Sequence, residues 1–483
     1  MKMTKEKEYD DFFIGTYNDK IVSLPWNSSL PNNNVFVSSG PGGGKSQELV
    51  IPNVINIKET SIVVTDPSGE VYAATAKIKE AQEYQVLVLN YENMFCSMRH
   101  NPLLYVETQR DAITISELIV SSRNDSKNKD IWYNTQVSLL TCLILYFKYE
   151  MPKEKCTIPG ILEFLEETDM EQDEETEMSD LDVVFLDLPK GHPARRAYSM
   201  GFGKSKAKTR SSISISIVTT LSNYLDEEVQ YFMSGSDFIL DEIAMRKSIL
   251  YIITPPMDES WDSMISLTYN QLFQRLYKVA SLNKRKLPVP LIAILDELPN
   301  IGKLEKLERF LATCRKYGIA AALVIQNITQ MYDVYGKEKA ESIIGNCATK
   351  ICLGNCNTVT NEFFSKLCGT ATKRVETGGS STSKGTNHND SSSESQNYNF
   401  VQASLITADE IDNLDDELIM KASGLKPIKL KKYMAFDMFP ENIMSKYATD
   451  PLEFEAYTTK YAKRFFKEKN EFIKVAPKRR EGM

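Results

Sequence analysis

The chain alternates between two kinds of apolar segment, and their order predicts an α/β fold. Short apolar runs between polar residues are typical of buried strands, whereas apolar residues at helical spacing predict helices with one buried face. Strand-like runs lie at 35–37, 61–65, 85–89, 247–254, 289–297 and 320–325. Helix-like segments lie at 138–149, 211–224 and 304–317, and another begins at Gln47. Strands that alternate with helices indicate buried parallel strands.

The spacing of these runs predicts how the chain is divided. Strand-like runs stop near residue 105 and resume at 247, and the stretch between is mainly helical. We therefore predict an α/β domain built from 1–110 and 226–440, interrupted by an all-alpha insertion at 111–225. Residues 377–399 are low in complexity and rich in Ser, Gly and Asn, which predicts a mobile loop. Residues 441–483 are a basic, aromatic tail, for which a docked helix and a disordered segment both stay open.

Residues 35–46, VFVSSGPGGGKS, have the strand–loop–helix order of a phosphate-binding P-loop. Glycines let successive backbone N–H groups turn toward phosphate oxygens at a helix N-terminus, which already favours anions. Lys45 is expected to reach the β- and γ-phosphates, and the Ser46 hydroxyl to bind Mg²⁺. The strict pattern has glycine at position 39, where this chain has serine. The predicted phosphate-binding residues are Ser39, Gly40, Pro41, Gly42, Gly43, Gly44, Lys45 and Ser46.

A second motif indicates that the bound nucleotide is hydrolysed. The strand within 289–297 ends in Asp296 and Glu297, so two carboxylates lie at the tip of a buried strand. Asp296 is expected to bind Mg²⁺ through water, and Glu297 to polarise the attacking water. The strand at 320–325 is followed by Gln326. Its amide either senses the γ-phosphate or is an ordinary amide at the end of a strand.

Composition fits an intracellular enzyme of two or three domains. The 483 residues are 42% hydrophobic and 25% charged, as in ordinary globular proteins. The net charge of −8 restricts any nucleic-acid contact to local basic patches. The eight cysteines form no C-x-x-C pair, so we expect buried free thiols, and three histidines do not favour a histidine metal site. No apolar run reaches the length of a membrane span and the N-terminus does not resemble a signal peptide, so we expect a soluble chain.

Charge is divided sharply within the predicted insertion. Residues 163–187 contain twelve carboxylates and no lysine or arginine, whereas residues 190–210 contain seven basic residues and no acid. The acidic block is either a solvated surface or a docking surface for a basic partner, and the basic strip could contact nucleic-acid phosphates. GFGKS at 201–205 is similar to a second P-loop, but no apolar strand precedes it, so we reject that interpretation.

Longer motifs resemble those of the type IV secretion coupling proteins of the TraG/TraD class, the motor ATPases of bacterial conjugation. They are VVTDPSGE at 63–70, HPARRAY at 192–198, LIAILDELPNIGKLEKLERFLATCRKYGIAAALVIQNITQM at 291–331, IIGNCATKICLGNCN at 343–357 and ITADEIDNL at 406–414. The similarity extends from about residue 20 to about 435. It implies a RecA-like P-loop NTPase domain with an inserted all-alpha domain, assembled as a hexameric ring with ATP between subunits.

The same resemblance implies an ATPase that uses ATP and Mg²⁺, recruits a relaxase–DNA complex to a type IV secretion channel and drives single-stranded DNA transfer. Implied partners are single-stranded and also double-stranded DNA, the relaxase or relaxosome, the ATPase of the secretion channel and further copies of this chain. Lys45, Glu297 and Gln326 match catalytic positions of the class, and Ser46 and Asp296 match its Mg²⁺ positions. Arg315 falls where an arginine finger could reach a neighbour's γ-phosphate, with a helix-end salt bridge as its alternative.

Two departures from that class shape our expectations. No N-terminal transmembrane helices are present, so either the chain is truncated or a separate membrane protein anchors it. We therefore expect a cytoplasmic protein held peripherally at the inner face of the membrane. The chain also lacks a long acidic tail, which shifts substrate recognition to the helical insertion. Two other functions stay open: a ring ATPase that translocates double-stranded DNA, and an ATP-dependent substrate receptor without pumping activity.

Overall fold

The structure, a computed structural model, describes residues 10–121, 130–171, 177–205, 207–383, 391–439 and 446–449. Its strands are β1 (Phe12–Tyr17), β2 (Lys20–Leu24), β3 (Val35–Ser38), β4 (Ser61–Pro67), β5 (Gln85–Asn90), β6 (Ser248–Thr254), β7 (Leu291–Leu295), β8 (Ile319–Ile325), β9 (Thr349–Cys352), β10 (Thr370–Ser383), β11 (Ser391–Ser404), β12 (Glu417–Ala422) and β13 (Ile428–Lys431). Its α-helices are α1 (Ile51–Asn56), α2 (Glu70–Ala81), α3 (Gln109–Ser121), α4 (Ile131–Glu150), α5 (Ile158–Glu167), α6 (Asp180–Asp187), α7 (Pro193–Met200), α8 (Ala207–Leu221), α9 (Glu227–Met233), α10 (Glu242–Met245), α11 (Asp262–Leu282), α12 (Leu307–Thr313), α13 (Ile328–Tyr335), α14 (Lys337–Gly345), α15 (Thr358–Cys368), α16 (Ala408–Asp412) and α17 (Ala435–Met438).

One large sheet organises the molecule, in the order β2-β1-β13-β12-β9-β3-β8-β7-β4-β6-β5. The strands from β9 to β5 in that order pair in parallel, and β12, β13, β1 and β2 extend the sheet with antiparallel pairs. The parallel strands are apolar along their length because helices cover both faces of the sheet. This arrangement confirms the predicted α/β class, with β4, β5, β6, β7 and β8 in the predicted strand-like runs.

Alternate residues of each strand contribute to two separate cores. Leu250 and Ile252 of β6 belong to the larger core, which also contains the apolar residues of α3–α9 and α11. Ile249, Tyr251 and Ile253 face the other way and pack with α1, α2 and the antiparallel extension. This period of two follows from the pleat of a strand. The sheet therefore separates the helical region from the helices that follow the P-loop.

Helices α3–α9 lie between β5 and β6 in the chain and pack around α4, whose central residues are fully buried. Ser179 caps α6 through a capping box with Asp182, as expected for a serine three residues before an acid. Asp182 also binds Arg210 of α8 in a buried ion pair. Thus one acid of the predicted acidic block and one base of the basic strip neutralise each other inside the helical region.

The low-complexity segment differs from the predicted loop. β10 and β11 form an antiparallel hairpin with fourteen paired positions, from Thr370 opposite Ser404 to Ser383 opposite Ser391. A two-stranded ladder is held by backbone hydrogen bonds, so polar serine and threonine side chains can be accommodated without a hydrophobic core. Residues 384–390 at the tip lie outside the described ranges.

Two other expectations concern the C-terminal tail and membrane-spanning helices. Of the predicted tail 441–483, the structure describes residues 446–449 alone, where the Thr449 N–H donates to the Ala73 carbonyl at 2.9 Å. Within the described ranges, no helix is both long and apolar enough to cross a membrane.

Candidate functional site

The P-loop and the acidic motif meet because parallel strands direct their carboxyl ends to one edge of the sheet. Ser38 of β3 pairs in register with Ile325 of β8, and Leu295 of β7 pairs with both Leu323 of β8 and Thr65 of β4. The P-loop, Gln326 and the pair Asp296–Glu297 follow β3, β8 and β7, and Asp66 lies near the carboxyl end of β4. Clefts at this edge are the usual ligand sites of open α/β sheets.

Glycines determine the shape of the P-loop. The Gly40 N–H donates to the Gly354 carbonyl at 3.1 Å, and a β-carbon on Gly40 would lie 1.5 Å from the Asn355 carbonyl oxygen. Gly42 and Gly44 have φ of +71° and +81°, a conformation that side chains other than glycine rarely adopt. A helical turn, Ser46–Val50, then leads directly into α1. The loop therefore presents its backbone at the start of a helix, where anions are favoured.

Serine at position 39 is accommodated by a second glycine. The Ser39 side chain is buried, and its Oγ would lie 2.2 Å from a β-carbon on Gly43. Ser39 thus occupies the volume that Gly43 leaves empty. The departure from the strict P-loop pattern is compensated within the loop itself.

Two predicted residues donate hydrogen bonds to one carboxylate oxygen of a third. Glu297 Oε1 accepts hydrogen bonds from Lys45 Nζ and, at 2.9 Å, from Gln326 Nε2. Glu297 Oε2 is buried and has no hydrogen-bond partner among the residues that the structure describes. Glu297 also has φ of +52°, a conformation that a non-glycine residue adopts only when its surroundings enforce it. One oxygen of this carboxylate is held in place while the other keeps its capacity to accept a hydrogen bond.

Two further carboxyl groups lie buried beside this carboxylate. Burial raises the pKa of Asp296 to about 7, with Lys45 opposing the shift and Glu297 adding to it. Burial likewise raises the pKa of Asp66 to about 7, and the hydrogen bonds that Asp66 accepts from the Tyr72 and Val71 N–H groups, at 2.7 and 3.0 Å, oppose that shift. The nearby Asp296 carboxyl group adds to the upward shift of the Asp66 pKa, because like charges repel at short range.

These groups fit a nucleotide phosphate with its divalent cation. Burial raises the pKa of Asp66 and Asp296, and a hard cation beside them would favour their charged forms. Carboxylate oxygens are also the ligands that Mg²⁺ prefers. The Ser46 hydroxyl follows Lys45 at the start of the helical turn, in the position expected for an Mg²⁺ ligand. The unpartnered Glu297 Oε2 can accept a proton from water.

Arg315 lies apart from the other predicted residues. It precedes β8, whereas Gln326 follows it, and a strand of seven residues separates the two edges by about 20 Å. Its guanidinium donates to the carbonyls of Leu30 and Pro31 at 2.6 and 2.5 Å. These are backbone acceptors, so the alternative of a helix-end salt bridge does not describe its contacts. Arg315 is therefore not part of the site in its own chain.

Sequence reasoning missed two contacts that support the P-loop. Glu48 is buried beneath the loop, where its Oε1 would lie 2.7 Å from a β-carbon on Gly44, and Lys432 Nζ lies 3.6 Å from the same oxygen. The second contact is the Gly354–Asn355 turn beneath Gly40. An acid on an amphipathic helix resembles a surface residue in sequence, and no pattern links it to a lysine far along the chain.

Comparison with known proteins agrees with this geometry. A family model described as "Type IV secretory system Conjugative DNA transfer" matches residues 3–472. The "Conjugal transfer protein TraG" of Escherichia coli is 27% identical over 429 residues, which cover 82% of this chain and 64% of that protein. The "Type IV secretion system-coupling protein VirD4" of Bartonella henselae is 24% identical over 434 residues, covering 86% of this chain and 64% of that protein. The chain thus spans less than two thirds of the length of these relatives.

Solved structures show the same fold. The unbound monoclinic form of the bacterial conjugative coupling protein TrwBdeltaN70 superposes with a TM-score of 0.63 at 17% identity, covering 90% of this chain and 91% of that chain. The plasmid coupling protein TrwB in complex with the ATP analogue ADPNP gives 0.61 at 18% identity, covering 89% and 91%. TrwB with ADP and Mg²⁺ gives 0.60 at 16% identity, covering 88% and 95%. These likenesses confirm a RecA-like P-loop domain joined to a helical region.

Proposed function

Since this chain belongs to the family of type IV secretory system conjugative DNA transfer proteins, we propose that it is a conjugative coupling ATPase. It binds ATP with Mg²⁺ and hydrolyses it, recruits a relaxase–DNA complex to a type IV secretion channel, and drives single-stranded DNA through that channel. The TrwB structures with ADPNP and with ADP and Mg²⁺ support the choice of nucleotide and cation.

A single observation carries the proposal: Lys45 and Gln326 both hold one oxygen of Glu297, while its other oxygen has no partner in the described ranges. A P-loop lysine without an acid would bind phosphate and release it unchanged. An oriented carboxylate at the same position supplies the base that hydrolysis requires. The arrangement is therefore suited to turnover, and not only to nucleotide binding.

Each residue has a distinct part in the proposed reaction. The N–H groups of the loop and Lys45 bind the phosphates, which draws Lys45 away from Glu297. Glu297, still held by Gln326, orients the attacking water through Oε2 and accepts its proton. Ser46 and Asp296 would hold Mg²⁺, which would supply positive charge beside the phosphates. Asp66 fixes the start of α2 beside this site through the Val71 and Tyr72 N–H groups.

The ring form is proposed to complete the site. Arg315 lies at the opposite edge of the sheet from its own P-loop, so it can act only in trans, on the nucleotide of a neighbouring subunit. To do so it must exchange its contacts with the Leu30 and Pro31 carbonyls for a γ-phosphate. An arginine finger supplied by a neighbour would make hydrolysis depend on assembly, for which we propose a hexamer.

Membership of this family is the basis for proposing further partners. We propose contact with single-stranded and double-stranded DNA, with the relaxase or relaxosome, and with the ATPase of the secretion channel. The helical region α3–α9 is the proposed receptor surface, because it carries both charge blocks. We propose that the protein acts at the inner face of the membrane, where a secretion channel opens.

The proposal is tested by measuring ATP hydrolysis by the purified protein alone, with single-stranded DNA, and with double-stranded DNA. We expect single-stranded DNA to stimulate turnover, and the Lys45→Ala variant to be inactive under all three conditions. Lys303→Ala removes an exposed lysine paired with Glu305 and serves as the matched control with unchanged turnover.

Three results would contradict this proposal. Stimulation by double-stranded DNA alone would indicate a duplex translocase. Turnover that no DNA changes, measured with the protein assembled as a ring, would indicate a substrate receptor without pumping activity. Turnover that survives in Lys45→Ala would show that hydrolysis does not take place at the P-loop.

A further inference from the structure

Three cysteines that the proposed mechanism does not use lie together behind the P-loop. Cys352 is the last residue of β9 and pairs in register with Ser38, Cys356 follows four residues later, and Cys368 ends α15. The Cys356 Sγ lies 3.4 Å from Ser38 Oγ and donates to the Gly354 carbonyl, also at 3.4 Å. All three thiols are buried and free of disulfide bonds.

Cys352 and Cys356 both lie beside Ser38, since Cys352 pairs with it in register and the Cys356 Sγ lies 3.4 Å from its Oγ. The Cys352 thiol lowers the pKa of Cys356, Ser38 and the Gly40 N–H lower it further, and burial opposes these shifts. The Cys356 thiol and burial raise the pKa of Cys352 well above its ordinary value. Cys356 is 6% exposed and Cys352 is fully buried. Cys356 is thus the nucleophile of the pair, since the thiolate is the reactive form.

The residues between these two cysteines contact the P-loop directly. The Leu353 N–H donates to the Ser38 carbonyl at 2.9 Å, and the Gly354 carbonyl accepts from the Gly40 N–H at 3.1 Å. The Asn355 carbonyl fills the space below Gly40, where no β-carbon could fit. A covalent change across 352–356 therefore acts on the first glycine of the phosphate-binding loop.

We propose that Cys352 and Cys356 form a redox modification site, in which hydrogen peroxide joins the two thiols as a disulfide and weakens nucleotide binding by the P-loop. The Cys356 thiolate attacks one peroxide oxygen, the O–O bond breaks, and the leaving hydroxide takes up a proton to form water. Cys356 is then a sulfenic acid. The Cys352 sulphur attacks Cys356 Sγ, the S–O bond breaks, and the hydroxide leaves as water with the Cys352 proton. Two thiols are oxidised, and one peroxide is reduced to two waters.

The effect on binding rests on the proposed function, but formation of the disulfide does not. Closing the bond turns Cys356 toward Cys352 and away from Ser38, and it constrains the Gly354 carbonyl that holds Gly40. Loss of one backbone hydrogen bond of ordinary strength corresponds to about five-fold weaker nucleotide binding. A reductant should restore the affinity, because the disulfide is reversible.

The disulfide can be measured on the intact protein by mass spectrometry. The protein is treated with hydrogen peroxide, its remaining thiols are alkylated under denaturing conditions, and trypsin then cleaves after Lys350 and Lys366. Both cysteines fall in the resulting peptide 351–366. We expect this peptide to appear without alkyl groups and lighter by two hydrogen atoms, while Cys142 and Cys347, fully buried with raised pKa values, stay reduced. In Cys352→Ser, Cys356 should stop at the sulfenic acid, which dimedone labels.

Binding of a fluorescent ATP analogue is measured on the same samples before oxidation, after it, and after reduction. Weaker binding that is reversed by reduction supports the proposal, and Cys356→Ser should abolish the response. A peptide 351–366 that remains reduced while Cys142 or Cys347 is oxidised overturns the site, and unchanged binding by the disulfide form overturns its link to the P-loop. If untreated protein binds no nucleotide, the proposed function fails, and the mass measurement still decides whether the disulfide forms.

Discussion

Two ion pairs of this molecule have similar chemistry and opposite surroundings. In the helical region, Arg210 and Asp182 have side chains that are 2% and 7% exposed, and both oxygens of Asp182 accept hydrogen bonds, from Arg210, Tyr198 and Ser179. In the site, Lys45 and Glu297 are 11% and 13% exposed, and Glu297 Oε2 has no partner among described residues. In the first pair, both carboxylate oxygens have hydrogen-bond partners, so we call it the saturated pair, and its role is structural. In the second pair, one carboxylate oxygen remains available to accept a hydrogen bond from a substrate.

Removing one partner of the saturated pair should have the largest effect on stability. Arg210→Met leaves the Asp182 carboxylate buried without its counter-ion, which should lower the free energy of unfolding by about 3–5 kcal/mol. Chemical denaturation of the full chain measures this change. Because an apolar pair of similar volume is tolerated, the double variant Asp182→Leu/Arg210→Met should recover part of the loss.

Arg246→Met is the matched control for that experiment. Arg246 pairs with Glu242 across one helical turn on the surface, so its loss should cost at most about 0.5 kcal/mol. If Arg210→Met and Arg246→Met lowered the free energy of unfolding equally, the buried pair would contribute no more to stability than a surface pair.

Two glycines of the P-loop provide a comparison within the site. Gly40→Ala places a β-carbon 1.5 Å from the Asn355 carbonyl oxygen and must displace backbone. By contrast, apart from Gly42's chain neighbours, no described residue lies within 4 Å of a β-carbon on Gly42. A displacement of about 1 Å can cost about a hundred-fold in activity, and we expect Gly40→Ala to weaken ATP binding by a similar factor. Gly42→Ala introduces only the backbone strain of a positive φ, so it should weaken ATP binding less. Titration with a fluorescent ATP analogue ranks the two variants, and the reverse order would contradict the contact with Asn355.

Gln326 should have a smaller, purely catalytic effect. Gln326→Ala removes the 2.9 Å hydrogen bond to Glu297 Oε1, so the carboxylate loses its orientation once Lys45 moves to phosphate. We expect kcat to fall about ten-fold, the factor for about 1.4 kcal/mol, with little change in ATP affinity. Steady-state kinetics separate the two parameters. A loss confined to affinity would instead indicate that Gln326 contacts the nucleotide in the ground state.

The smallest expected effect is a dependence of stability on pH. Burial raises the pKa of Glu48 from 4.5 to about 7, with Lys432 opposing the shift. The native state therefore keeps a proton that the unfolded chain releases, so the stability contributed by this group is lost as pH rises from about 4.5 through about 7. Melting temperature should fall with pH in this window more steeply for wild type than for Glu48→Gln. Parallel curves would show that Glu48 titrates normally.

The sequence could predict the site where its residues are contiguous. VFVSSGPGGGKS places Lys45 and Ser46 in one stretch, and Asp296 and Glu297 follow a single apolar strand, so local patterns are enough to propose them as site residues. Sequence could not show that Lys45 and Gln326 share one oxygen of Glu297, because that contact depends on which strands are neighbours in the sheet.

Other features escaped prediction for physical reasons that can be named. The Ser- and Gly-rich strands of the hairpin β10–β11 give no apolar alternation, since backbone pairing holds them together. Glu48 and Lys432 are far apart in sequence, and each resembles a solvated surface charge. The Asn355 turn supports Gly40 through its backbone, so its side chain gives no signal of that contact.

The most direct test of the central claim is to measure ATP binding and ATP hydrolysis side by side for wild type and Glu297→Gln, with single-stranded DNA present. Glutamine can still accept hydrogen bonds from Lys45 and Gln326, but it cannot accept a proton from water. We predict that hydrolysis falls about a thousand-fold while ATP binding and the free energy of unfolding stay close to wild type. Hydrolysis within a few-fold of wild type, or a loss of ATP binding that accounts for the whole defect, would contradict the assignment of Glu297 as the catalytic base.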